Sequence, residues 1–341
     1  MPAHWLEAYV VLAGIVLLML EAFLPRKEKF LIGCLGIGAL IFGLVLLFWA
    51  EAPENNKEMT RFYAWDSQAK FFKGFALLAG IMTLTLCLDY RKILAKFTAN
   101  PDSDDSTGEY YCLILFAVAG MMWMASAKDL VSLFVSLELT TITLYILVAY
   151  MRRNVGSLEA GVKFLILGAI STGFLVYGIS WIYGATGTTS LAAIGETMSE
   201  ENSTYLLFGL ALILISLAFK VGAVPMHLWI PDVYQGAPTP TTAFLSVASK
   251  ASGFAVALRV LQPFFENSIT AEKTTFIVAV LAGATILVGN LAAIPQTNFK
   301  RLLAYSSIAN AGFILLGIAA WNSKSDLSAF QVTGFYLSVY F

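Results

Sequence analysis

Charge is what this sequence has least of. Asp, Glu, Lys and Arg make up 13% of its 341 residues, where a soluble domain carries about 25%. The net charge of −1 leaves no excess of positive charge, which argues against a surface for nucleic acid. Cysteine is sparse as well. Cys34, Cys87 and Cys112 stand singly in apolar runs, with neither metal-ligand nor redox spacing, and read as small buried hydrophobes. The N-terminal stretch "MPAHWLEAYVVLAGIVLLMLEAFLPRKEK" lacks a basic start and a small-residue cleavage site, so it reads as a retained anchor.

What is present in quantity is apolar sequence. Hydrophobic residues make up 58% of the chain, and its mean hydropathy is +0.76. A helix crossing a bilayer needs about 20 mostly apolar residues. Runs of that kind cover 6–24, 30–50, 71–90, 110–126, 129–150, 157–183, 204–234 (interrupted), 240–262, 275–296 and 301–321, with a further start near 329. Aromatic clusters such as "RFYAW" and "WIYG" suit interfacial belts. The expected fold is an all-α integral membrane protein, a polytopic helix bundle with one broken helix.

The loops alternate in sign. Those after odd-numbered spans carry ten basic residues: Arg26, Lys27, Lys29, Arg91, Lys92, Lys96, Arg152, Arg153, Lys300 and Arg301. The other side has seven: Lys57, Arg61, Lys70, Lys73, Lys128, Lys273 and Lys324, with acidic loops such as "EAPENNKEM" and "GETMSEENS". Positive charge near short loops sets orientation, so the "RKEK" loop is expected in the cytoplasm and the N-terminus outside. The acidic "NPDSDDSTGEY" loop runs against this scheme, but acidic residues weigh little in that rule.

A few charges fall inside the spans: Lys163, Lys220, Lys250, Glu138 and Glu159. An ionisable side chain at bilayer depth is a functional hypothesis, because insertion is costly and needs a partner or water. Glu138 lies nine residues past Asp129, about 14 Å along a helix, and Lys250 ten past Pro240, about 15 Å. Both depths are near mid-membrane. Glu159 and Lys163, spaced i, i+4, can pair on one face. Two readings stay open. The charges are proton carriers, or they are static pairs that hold helices together, with His227 a hydrogen-bonded core histidine.

The stretch "ISLAFKVGAVPMHLWIPDVYQGAPTP" favours the first. Pro225 has no N–H and its ring clashes with the carbonyl of Val221, and Gly222 adds freedom. The helix is expected to stop near Lys220–Val221. Irregular backbone at depth is tolerated inside protein or along a watery cavity, and broken helices are a transporter device. Exposed carbonyls at the end of the first half favour a cation there. Lys220 can then hold and release a proton, with Glu138 modulating it and Lys250 taking the proton on through His227 or water.

The segments "AFKVGAVPMHLWIPDVYQGAPTPTTAFLSVASK", "DLVSLFVSLEL", "RRNVGSLEAGVKFLILGA" and "QTNFKRLLAYSSIANAG" closely resemble the antiporter-like membrane subunits of bacterial NADH–quinone oxidoreductase, respiratory complex I. The wording "PMHLWIPDVYQGAP" is nearer to chain N than to sister chains L and M or the multisubunit sodium/proton antiporters. The resemblance implies fourteen helices with two inverted five-helix repeats. It divides this chain into three N-terminal helices (1–109), a first repeat (110–262) and an incomplete second (275–341), with about 11 helices of the 14. It places Glu138, Lys220 and Lys250 in a proton relay, with His227, Glu159 and Lys163 supporting and Gly222 and Pro225 at the helix break.

The implied role is proton translocation within an NADH:quinone oxidoreductase, a translocase, with no redox chemistry in this chain. No cofactor or metal is expected here, since FMN, iron–sulfur clusters and quinone belong to partner subunits. Expected partners are the neighbouring chain M, small membrane-arm chains and the lipid bilayer, in a bacterial inner membrane. A sodium/proton antiporter subunit and a non-pumping scaffold subunit are the alternatives. The short second repeat makes a fragment of a longer protein the expectation.

Overall fold

The computed structural model describes residues 1–25, 28–53, 57–98, 108–321 and 328–340. Arg26, Lys27, Lys324, the middle of the "EAPENNKEM" loop and most of the acidic "NPDSDDSTGEY" loop lie outside these residues. The described chain is helical: α1 (Trp5–Phe23), α2 (Phe30–Trp49), α3 (Lys57–Phe62), α4 (Ser67–Lys96), α5 (Gly108–Ser126), α6 (Leu130–Val148), α7 (Val155–Thr186), α8 (Leu191–Thr197), α9 (Ser203–Val221), α10 (Trp229–Gly236), α11 (Thr239–Phe244), α12 (Lys250–Glu266), α13 (Ala271–Ala293), α14 (Phe299–Ala319) and α15 (Ala329–Tyr340). A π-helical turn, Leu245–Ser249, joins α11 to α12. Beyond helices, two isolated bridges pair Pro2 with Glu51 and Asp129 with Ser190.

Ten of these helices are long and apolar enough to cross a membrane, counting α11 to α12 as one of 28 residues. They match ten of the expected runs. The eleventh start, near 329, is the shorter α15. Large apolar side chains face outward all along these helices, among them Phe23, Phe48, Val135, Phe276, Leu287 and Leu291. Water would penalise that surface and hydrocarbon does not, so the chain is membrane-embedded.

Two compact units share the chain discontinuously. One comprises residues 1–126, 135–165 and 233–248, and the other 127–134, 166–232 and 249–341. In the first unit α4 starts earlier than the apolar pattern indicates. Asp66 caps it by accepting from the Ala69 amide at 2.8 Å, and the helix begins at Ser67. Lys73, counted with the outer-side cations although the run 71–90 reaches it, lies in the second turn of α4. It is entirely buried and pairs with the equally buried Glu7 of α1. The Tyr63 hydroxyl hydrogen-bonds both Glu7 oxygens at 3.1 Å and Lys73 Nζ, and the ammonium stands over the Tyr63 and Trp65 rings. Cys34 also departs from expectation. It sits on the exposed face of α2, while Cys87 and Cys112 are buried.

In the second unit, α12 is the helix enclosed on all sides: every residue from Lys250 to Leu261 is buried. A lysine there has no route to lipid headgroups along its stem, so its charge must be met by protein or water.

Candidate functional site

The break in the seventh span is built by a few local devices. α9 ends at Val221, and Gly222 follows with φ 79°, the left-handed conformation that glycine adopts without a steric penalty. The Gly222 and Ala223 amides both return to the Ala218 carbonyl, at 2.9 and 2.7 Å. Trp229 Nε1 donates to the Phe219 carbonyl at 2.9 Å, and the Val224 amide donates to Thr285 Oγ1 of α13 at 3.0 Å. The interruption is thus wired to side chains rather than left with bare polar groups, as a low-dielectric setting requires. His227 lies within it, half-buried, with Nδ1 shielded and lacking a partner among the described residues.

Lys220 is the penultimate residue of α9 and 4% exposed. At that position its charge faces the negative end of the helix dipole. Lys250 is the twelfth residue of the 28-residue span that starts at Thr239, directly after the π turn, and 3% exposed. Its ammonium donates to the Ser307 carbonyl at 2.7 Å and to Ser307 Oγ at 2.6 Å.

Two glycines bring the lysine stems together. A Cβ on Gly253 would lie 3.0 Å from Lys220 Cγ and 2.9 Å from Val221 Cγ1. A Cβ on Gly222 would lie 3.6 Å from Lys250 Cε and 2.0 Å from Ile230 Cδ1. Each lysine therefore lies against the glycine that follows the other lysine, Lys220 against Gly253 and Lys250 against Gly222. The two lysine stems thus enter the same contact between α9 and α12, each passing over a position that has no side chain.

Glu138 is the ninth of nineteen residues in α6, half-buried and engaged with other groups. Glu159 and Lys163 form an i, i+4 salt bridge of 2.8 Å on α7, with side chains 61% and 44% exposed. That is an outward-facing pair, not an inward one. Arg301, read as a positive anchor, also binds Asp232 of "PDVYQGAP" at 2.6 Å and so ties α14 to α10. Beside Val221 and Ala223 lies a cavity of about 20 Å³ lined entirely by apolar residues. A water there would lack polar partners.

Residue-type reasoning passes over Ser307, Gly253 and Thr285. None carries charge, and small or hydroxylic residues are common in membrane helices. The one available signal for Gly253 is the run of small residues around Lys250 in "SKASG".

Residues 127–340 match the family described as NADH:quinone oxidoreductase/Mrp antiporter, transmembrane, and residues 1–88 match the NfeD integral membrane domain. The chain is 42% identical over 322 residues to NADH-quinone oxidoreductase subunit N 2 of Roseiflexus castenholzii, covering 92% of this chain and 61% of that protein. It is 38% identical over 335 residues to subunit N of Rhodospirillum rubrum, covering 97% and 66%. This chain therefore spans slightly less than two thirds of the length of these relatives. Among solved structures, respiratory complex I from Thermus thermophilus with bound aureothin matches with a TM-score of 0.74 and 30% identity, over 98% of this chain and 67% of that one. An archaeal membrane-bound sulfane sulfur reductase matches with 0.77 and 26%, over 97% and 66%. The Mrp complex from Dietzia sp. matches with 0.75 at 19% identity, over 98% and 36%, a likeness of fold alone.

Proposed function

Since this chain belongs to the NADH:quinone oxidoreductase/Mrp antiporter transmembrane family, we propose that it translocates protons as the N-type subunit of a bacterial NADH–quinone oxidoreductase. The observation that carries this reading is the mutual approach of Lys220 and Lys250 across Gly222 and Gly253, next to a helix broken inside the membrane. In this mechanism one of the two lysines is charged at a time. A proton entering at Lys220 is stabilised by the α9 carbonyls, and like-charge repulsion drives transfer to Lys250. His227, with its shielded Nδ1, serves as an intermediate proton acceptor. The driving energy comes from electron transfer between NADH and quinone in partner subunits. Those subunits hold the flavin, iron–sulfur clusters and quinone, and this chain binds none of them.

The rest of the reading follows from that assignment. The chain lies in the bacterial inner membrane with its N-terminus outside, next to an antiporter-like chain M and small membrane-arm subunits. The exposed Glu159–Lys163 pair faces a neighbouring subunit, because charges turned toward lipid are costly. A sodium/proton antiporter is not favoured. The relatives with high identity are subunits N, and the Mrp likeness extends to fold only.

The experiment replaces Lys220 or Lys250 by Met in the complete complex. In membranes with normal subunit levels, proton uptake per NADH oxidised is expected to fall. Unchanged uptake in both variants rejects the reading.

A further inference from the structure

We propose that Ser307 is the positioning residue that fixes the ammonium of Lys250 and sets the strength with which it holds its proton. This rests on the reading of Lys250 as a proton carrier. A lysine ammonium has three N–H donors. Two of them go to one residue, Ser307, through its carbonyl at 2.7 Å and its hydroxyl at 2.6 Å. Both acceptors act on the charged form, and bonds to an ionised donor are roughly twice as strong as neutral ones. The third donor stays available for exchange. Ser307 is itself 2% exposed and is flanked on the buried face of α14 by Ala304, Ile308 and Ala311. Its hydroxyl is thus the polar side-chain group that α14 offers to the lysine.

The serine is in turn held in place. An oxygen that accepts from Lys250 must direct its own hydrogen elsewhere, and the Tyr340 side chain of α15 lies beside it. One turn away, Tyr336 donates to Asn310 Oδ1 at 2.7 Å, which fixes α15 along the same edge of α14. The titratable groups facing Lys250 are accordingly Lys220 from α9, across the two glycines, and Tyr340 from α15, through Ser307. α13 carries its titratable residues, Glu272 and Lys273, in its first turn. α8 meets α12 at Pro263, well beyond Lys250.

Removing the hydroxyl weakens the charged form of Lys250 without removing the lysine. Ser307→Ala is expected to move the alkaline limb of the pH profile of proton uptake to lower pH by about one unit, the equivalent of losing one hydrogen bond to a charged group. The measurement is made on the complete complex in membranes. NADH oxidation by an artificial acceptor that bypasses quinone checks that the complex is assembled. The near-isosteric pair Ser307→Thr and Ser307→Val isolates the oxygen: Thr is expected to keep the wild-type profile and Val to shift it. A helix-packing role would move neither profile, or both equally.

Lys250→Met separates the two ideas. Wild-type pumping by Lys250→Met overturns the carrier reading, and this proposal with it. If Lys250→Met fails to pump while Ser307→Ala and Ser307→Val keep the wild-type pH profile, the serine proposal alone is overturned.

Discussion

Lys73 Nζ lies 2.6 Å from Glu7 Oε1, and both side chains are completely shielded. The pair joins α4 to α1 some sixty residues apart in sequence, and Tyr63 closes it. Removing one partner of such a pair strands the other charge, which costs about 3–5 kcal/mol, whereas replacing both by apolar groups is often neutral or better. Glu7→Gln and Lys73→Met are each expected to lower the unfolding temperature of the detergent-purified protein. Glu7→Leu with Lys73→Met should return it close to wild type. Single variants as stable as the parent would mean that the pair does not hold these helices.

Gly222 tests the geometry of the break. Any side chain at φ 79° is strained by roughly 1–2 kcal/mol, and here a Cβ would also lie 2.0 Å from Ile230 Cδ1. Gly222→Ala should therefore displace α10 and reduce both subunit abundance and pumping. Pro225→Ala removes no contact of this kind and permits a longer helix. It should assemble normally and pump weakly. Comparing abundance by immunodetection with proton uptake separates the two, and equal behaviour of both variants would contradict the division.

Lys220 distinguishes a mobile proton from a fixed charge. Guanidinium hardly ever releases its proton, while a buried ammonium can. Lys220→Arg is expected to fail in proton uptake nearly as fully as Lys220→Met. Normal pumping by Lys220→Arg would make the lysine a fixed charge.

The orientation is open to labelling. Cys34 is exposed and must first become serine, whereas Cys87 and Cys112 are buried. In that background, cysteines at Lys29 and Arg152 should react from the cytoplasmic side and those at Glu51 and Glu196 from outside. The first residues share the side of Glu51, because the Ala3 amide donates to its carbonyl at 2.9 Å and its amide donates to Met1 at 2.9 Å. Labelling of Lys29 and Glu51 positions from one side would reject the scheme.

The exposed Glu159–Lys163 bridge should matter little to this chain alone. Surface i, i+4 pairs contribute about 0.3–0.5 kcal/mol, so Glu159→Gln with Lys163→Met should leave the unfolding temperature nearly unchanged. If the pair meets a neighbouring subunit, the same variant should weaken assembly of the complete complex, as read by native electrophoresis.

The spans from 5 to 319 and the break before Pro225 were legible in the sequence because both are local. Hydropathy over twenty residues decides insertion, and Pro225 removes an N–H and crowds the Val221 carbonyl, where Gly222 supplies the left-handed turn that ends α9. The placing of Glu138 and Lys250 partway along their helices followed from counting residues. Lys73 reads as an outer-side cation because it stands at the edge of its apolar run and its acid, Glu7, lies on another helix. Glu159 and Lys163 were correctly paired, but their outward direction depends on which face of α7 the bundle leaves uncovered. Ser307 is 57 residues from Lys250, and Gly253 meets Lys220 only when α9 and α12 pack. Pairings of that kind arise from the contact between two helices and belong to neither helix alone. The sequence determined that lysines stand inside apolar spans and at which position along each, and the tertiary structure decided which oxygen and which glycine each one meets.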